Sequence, residues 1–147
     1  MLLCDLQAVQ PSHTGRYCLM IDSGGPKLKD IETSSSDPET RHVERMVVWM
    51  ERNGICLGRH QICLEYGCGT ARITPFLATR FNLTHACDIS TPHLALAAQA
   101  IRQAGLEARV TFRQVVSTQS VRQLPPADVI FSIIVLQHDP PLSSPTF

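Results

Sequence analysis

Lysine is nearly missing from this sequence. Only Lys27 and Lys29 stand among its 13 basic residues, and 13 acidic residues balance them, so the formal net charge is zero. A chain with no excess charge has no bulk field to draw it to nucleic acid or to an anionic lipid surface. Long apolar runs are missing too. None reaches the ~18 residues of a membrane span. The opening "MLLCDLQAV" is short and interrupted by Asp5, which makes it a poor export signal. A cytoplasmic chain with no membrane partner is expected. Cysteine is not scarce, but its metal-binding patterns are absent. Cys4, Cys18, Cys56, Cys63, Cys68 and Cys87 include no C-x-x-C pair, and no paired histidines follow at zinc-finger distances. Reduced and mostly buried thiols are expected, with Cys63 and Cys87 acting as small hydrophobes inside apolar runs.

What is present fits one domain with one modest core. The chain has 147 residues, 44 % apolar and 18 % charged, which belongs to a globular rather than a disordered protein. Residues 1–37 have little periodicity, and "DSGGPKLKDIETSSSDPET" reads as a flexible N-terminal arm. A helix then starts at 38, with Asp37 as its cap and Pro38 in its first position. Val43, Met46, Val47 and Met50 form its apolar stripe, and Gly54 ends it.

From residue 61 onward, strand and helix patterns alternate. "QICLEY" (61–66), "LTHACD" (83–88), "RVTFRQVV" (109–116) and "ADVIFSIIVL" (127–136) read as strands. Between them, 71–81 is expected as a helix with Ile73, Phe76, Leu77 and Phe81 on one face. A second helix follows Ser90, lined by Leu94, Ala97, Ala98 and Ile101, and a short one covers 118–124. Such alternation implies right-handed crossovers and a parallel sheet. The expected fold is α/β: a Rossmann-like, doubly wound parallel sheet of about four strands, with an N-terminal helix. In such sheets, ligands bind beyond the carboxyl ends of the strands.

The first of those ends reads "LEYGCGTAR". Gly67 and Gly69 allow a tight turn and close approach of backbone to a ligand, and the helix after them favours an anion. Arg72 stands where a dinucleotide fingerprint needs a small residue. Glu65, just before the turn, would repel a pyrophosphate but attract an ammonium. A ligand carrying both carboxylate and ammonium fits better. The second strand ends in Asp88, 23 residues beyond Glu65. A carboxylate there is suited to both hydroxyls of a ribose. An amino-acid end beside a ribose describes S-adenosylmethionine.

"LEYGCGTARITPFLA" resembles motif I of the class I S-adenosylmethionine-dependent methyltransferases, and "CDIS" resembles their acidic second motif. The resemblance spans about residues 40–141. It implies that Glu65, Tyr66, Gly67, Cys68 and Gly69 line the methionine end, that Asp88 holds the ribose, and that Ile89 packs near the adenine. Ala71 replaces a frequent glycine with another small residue, which should be harmless. Trp49 and Tyr66 are placed to line the site, although plain packing is the commoner role for Trp49. Where many relatives carry an acidic residue for the adenine amine, this chain has "VVSTQS". Ser117 or Thr118 is the substitute, and weaker or different adenine recognition is expected.

At the fourth strand's end, His138 is the candidate base for an acceptor that must lose a proton. Asp139-Pro140-Pro141 is similar to the Asp/Asn-Pro-Pro motif of nucleic-acid amino-methyltransferases, but Leu142 replaces their stacking aromatic. By resemblance the family's sheet has about seven strands, so the four here imply a truncated domain over 38–141 and a tail over 142–147. The sheet order would be 3-2-1-4, leaving the fourth strand at an exposed edge open to self-association. The methyl acceptor is unnamed, with a small molecule favoured. The alternatives are a non-catalytic cofactor-binding or interaction fragment, and a protein using another adenosine cofactor.

Overall fold

A computed structural model describes residues 17–21, 32–34 and 36–133, with only the backbone described for 17–21 and 39. The elements run in chain order as β1 (Tyr17–Ile21), α1 (Pro38–Arg52), β2 (Ile62–Tyr66), α2 (Thr74–Arg80), β3 (Leu83–Asp88), α3 (Thr91–Gln103), a 3₁₀ turn (Glu107–Arg109), β4 (Val110–Gln114), α4 (Thr118–Arg122) and β5 (Val129–Ile133). All strand pairs are parallel.

The helices start where the sequence chemistry directs. Asp37 accepts the Thr40 N–H at 2.7 Å, and Ser90 accepts the His93 N–H at 3.3 Å. Each cap satisfies a donor that the first helical turn leaves unpaired. The stripe expected on α1 is buried: Val43, Met46, Val47 and Met50 are at most 2 % exposed. Full burial of side chains this size stabilises by roughly 1.5–3 kcal/mol each. They pack with Cys63 of β2, Leu77 and Phe81 of α2 and its end, and Val129 and Phe131 of β5. Ala78, Ala86, Ala97, Ile101 and Val110 continue that layer beneath α2 and α3. The opposite face holds Leu64, Cys87 and Val115, with Leu124 and Ala127 packed against them.

The four strands read from the sequence lie in the expected order, β4-β3-β2-β5, with helix-bearing crossovers between them. The edge differs. Order β1-β5-β2-β3-β4 puts a fifth strand beside β5, with Tyr17 opposite Val129 and Ile21 opposite Ile133. Residues 17–21 are therefore a strand and not part of a loose arm, and the fourth predicted strand is not an exposed edge. The basis for self-association goes with it. The reason is tertiary. "YCLMI" is a short apolar run with no alternation, so only an available partner marks it as a strand, and β5 offers one. The predicted extension of β5 to 136, and with it His138, Asp139, Pro140, Pro141 and the tail, lies outside the described residues.

This pairing is testable in the backbone. Successive amides of a strand point to opposite neighbours. With β2 on one side and β1 on the other, all amides from Ile130 to Ile133 should resist hydrogen exchange. Fast exchange at alternate positions would show that β1 does not dock.

Candidate cofactor site

The site lies where β2 ends and a short turn leads into α2. Gly67, Gly69 and Ala71 all take left-handed backbone, with φ of +82, +53 and +67°. Glycine adopts this conformation freely, whereas for other residues it costs about 1–2 kcal/mol. Ala71 is thus not the neutral replacement expected from its size. Its conformational cost is set against a methyl group buried with Ala78, Ala86 and Ala97. The same geometry explains why α2 begins at Thr74 and not at 71. A right-handed helix cannot start until the left-handed turn is finished.

Most N–H groups of this turn are already committed. Those of Gly67 and Cys68 both donate to the Cys87 carbonyl, at 2.8 and 2.9 Å, and Ala71 donates to the Cys68 carbonyl at 2.9 Å. Gly69 N–H donates to Asp88 Oδ2 at 2.8 Å. The turn is thereby bolted to the end of β3. Its capacity for an anion is narrower than the glycines alone imply, and Thr70 N–H is the donor left without an acceptor among the described residues. A methyl group built on Gly69 would meet no atom within 4 Å, so the space in front of it is open.

Asp88 closes the site from the second strand. Its Oδ1 accepts the Ser90 N–H at 2.8 Å while Oδ2 holds Gly69. A carboxylate has about four acceptor positions, so roughly two remain for a ligand's hydroxyls. Next along the chain, the side chain of Ile89 is 70 % exposed. His93, half-exposed in the first turn of α3, has Nδ1 3.8 Å from Asp88 Oδ1.

Glu65 supplies the electrostatics. It is 5 % exposed, and its Oε2 has no hydrogen-bond partner among the described residues. Burial is the main force raising its pKa, to about 7; the nearby Thr74 hydroxyl opposes the rise without forming a bond of ordinary geometry, and the Asp88 charge adds to it. Burial also pushes the neighbouring thiols up, Cys87 to about 11 and Cys68 beyond the ordinary thiol range. These cysteines are packing groups and not nucleophiles.

A family model described as a methyltransferase domain matches residues 63–145. That match covers more than half of the chain. The chain belongs to the methyltransferase-domain family.

Solved structures share the fold of this methyltransferase domain. It superposes on a precorrin-8w decarboxylase of Methanobacterium thermoautotrophicum with a TM-score of 0.52 and 19 % identity, covering 68 % of this chain and 50 % of that one. For a dimethyladenosine transferase of Plasmodium falciparum, the TM-score is 0.52 at 18 % identity, over 65 % of this chain and 31 % of that one. For a precorrin-6y C5,15-methyltransferase of Geobacter metallireducens, it is 0.51 at 14 %, over 71 % and 53 %. The methyltransferase domain thus spans about half of such chains or less. No curated protein matches it.

Of the residues singled out from the sequence, Glu65, Tyr66, Gly67, Cys68, Gly69, Asp88 and Ile89 converge at the ends of β2 and β3 of the methyltransferase domain. Tyr66 is half-buried beside Leu64 and Cys87. Trp49 is half-buried against the α1 core cluster. Ser117 lies beyond β4, and its Oγ accepts the Ser120 N–H at 3.1 Å as the cap of α4. Thr74 and Ser120 are additions from the structure. The Ser-x-x-Ser spacing ahead of α4 permits a reciprocal cap without requiring one, and nothing in the sequence marks Thr74 as a neighbour of Glu65.

The raised Glu65 pKa sets a pH dependence. Unfolded, the carboxyl ionises near 4.5; folded, near 7. Between those values the native state holds a proton that the unfolded state has lost, so stability falls as pH rises. We expect Glu65 to contribute a loss of about 3 kcal/mol over that interval. Urea denaturation from pH 4.5 to 7.5 should show this slope, and Glu65→Gln should flatten it. Parallel pH profiles for the two proteins would contradict the assignment.

Proposed function

We propose that this domain binds S-adenosylmethionine and forms the cofactor-holding part of a methyl-transfer site. One observation carries the reading: Glu65 Oε2 is buried without a hydrogen-bond partner among the described residues, beside an open glycine turn. A buried carboxylate needs a cation or a proton. An amino-acid ammonium satisfies it, whereas a pyrophosphate would be repelled. Glu65 would hold the ammonium, and Thr70 N–H is free for the neighbouring carboxylate. Asp88 has acceptor positions for both ribose hydroxyls, and Ile89 offers apolar contact to the base. Tyr66, Gly67, Cys68 and Gly69 would form the wall along the methionine end.

When bound, the cofactor supplies a methyl group activated on a sulfonium. The chain's contribution is to place that group and to exclude water around it. We propose a small-molecule acceptor in a cytoplasmic setting. The neutral charge gives no support to nucleic acid. His138, the candidate base, is outside the described residues, and no step is assigned to it.

Calorimetry with S-adenosylmethionine and with NAD tests the reading. The first should bind and the second should not. Losing hydrogen bonds to a charged group costs about 1.5–3 kcal/mol, so Asp88→Ala should weaken binding by more than about 10-fold. Absence of S-adenosylmethionine binding, or unchanged affinity in Asp88→Ala, would overturn it.

A further inference from the structure

Thr74 is the first residue of α2, just past the left-handed turn. It is 0 % exposed, and its Oγ1 is buried without a hydrogen-bond partner among the described residues. A threonine hydroxyl in a helix ordinarily bonds a carbonyl of the preceding turn, as Thr79 Oγ1 does with the Phe76 carbonyl at 2.8 Å. At a helix start a hydroxyl can instead cap the first N–H groups. The cap position of α2 is held by Ile73 and carries no side-chain bond. Thr74 thus has a buried donor that its own helix does not use. Such a group costs stability wherever nothing answers it.

Glu65 is the group that can answer it. Its Oε2 is likewise buried and unbonded among the described residues, and the Thr74 hydroxyl is near enough to favour the charged carboxylate. The two are complementary, because a hydroxyl donates and an ionised carboxylate only accepts. Asp88, at the end of β3, opposes the Glu65 charge. Cys63, Cys68 and Cys87 have raised pKa values and stay neutral. Phe131 of β5 stands opposite Glu65, and the α1 stripe on the same face of the sheet is apolar.

We infer that Thr74 is a positioning residue for capture of the ligand's ammonium: its hydroxyl donates to Glu65 once the carboxyl ionises, and so holds the carboxylate charged and in place for the cation. Thr74 acts through Glu65 and does not touch the ligand. The inference rests on the cofactor reading proposed above. With a pKa of about 7, most Glu65 is protonated at pH 6, and the bond forms as that proton leaves. The role of Thr74 is therefore largest where the carboxyl has to be ionised by binding, and smallest where it is ionised already.

Thr74→Val keeps the shape and removes the hydroxyl, whereas Thr74→Ser keeps the hydroxyl. Losing a bond to the charged form raises an acid's pKa by roughly one pH unit. Calorimetry of the full chain with S-adenosylmethionine should then show Thr74→Val weaker by about 10-fold at pH 6, but by only about 2-fold at pH 8. Thr74→Ser should stay within about 3-fold of the unsubstituted chain at both pH values. An equal loss in Thr74→Val at the two pH values, or no loss, overturns the inference and leaves the cofactor reading standing. So does a loss in Thr74→Ser as large as that in Thr74→Val. If the unsubstituted chain binds no S-adenosylmethionine, the cofactor reading fails and this inference with it. Carbon-13 NMR of the Glu65 carboxyl gives a second measurement that needs no ligand. Its titration midpoint should rise in Thr74→Val and in Thr74→Ala, and an unmoved midpoint in whichever of them folds overturns the inference.

Discussion

A carboxyl group buried at the end of the sheet's central segment sets the terms for this molecule. Glu65 is on β2, between β3 and β5, with one oxygen buried and without a hydrogen bond of ordinary geometry among the described residues. An isolated ionised carboxylate in that position is costly, so the group shifts its pKa toward neutrality. The fold tolerates it because the group can hold a proton near neutral pH. An unsatisfied group of this kind reduces stability and marks where a ligand would restore it.

The surrounding architecture keeps that position open. Parallel strands bring the ends of β2 and β3 level, so that Tyr66 is opposite Cys87 and Asp88 is one residue further on. From there, the Cys87 carbonyl and the Asp88 carboxylate take three N–H groups of the glycine turn. The turn is held in place by these bonds to the neighbouring strand. Left-handed backbone at three alternate positions is the local cost of that path, and Ala71 bears it without glycine's freedom. In the core beneath α1, Phe81 and Phe131 pack with ring centroids 6.1 Å apart.

Much of this is legible in the sequence, for identifiable reasons. The stripe at Val43, Met46, Val47 and Met50 follows the helical period, and burial follows the stripe. Glu65 and Asp88 are readable as candidates because ligands in such sheets bind beyond the carboxyl ends of the strands. Two features are not legible. β1 is hidden because five apolar residues without alternation carry no period, and their pairing depends on β5, more than a hundred positions later. Ser117 stands after β4, where a contact to the base is the natural reading. The reciprocal bonds with Ser120 also make it a helix cap. Both depend on which partner wins when several are available, and a linear pattern does not record that.

Cofactor binding on these terms requires Glu65 to exchange a proton for a ligand ammonium. Calorimetric titration with S-adenosylmethionine at pH 6, repeated in buffers of different ionisation enthalpy, counts the protons released directly. With a pKa of about 7, most Glu65 is protonated at that pH. About one proton should be released per cofactor bound, as the ammonium displaces it. Release should fall away by about pH 8.5, well above that pKa, and be lost in Glu65→Gln. Binding at pH 6 with no proton released would contradict the exchange.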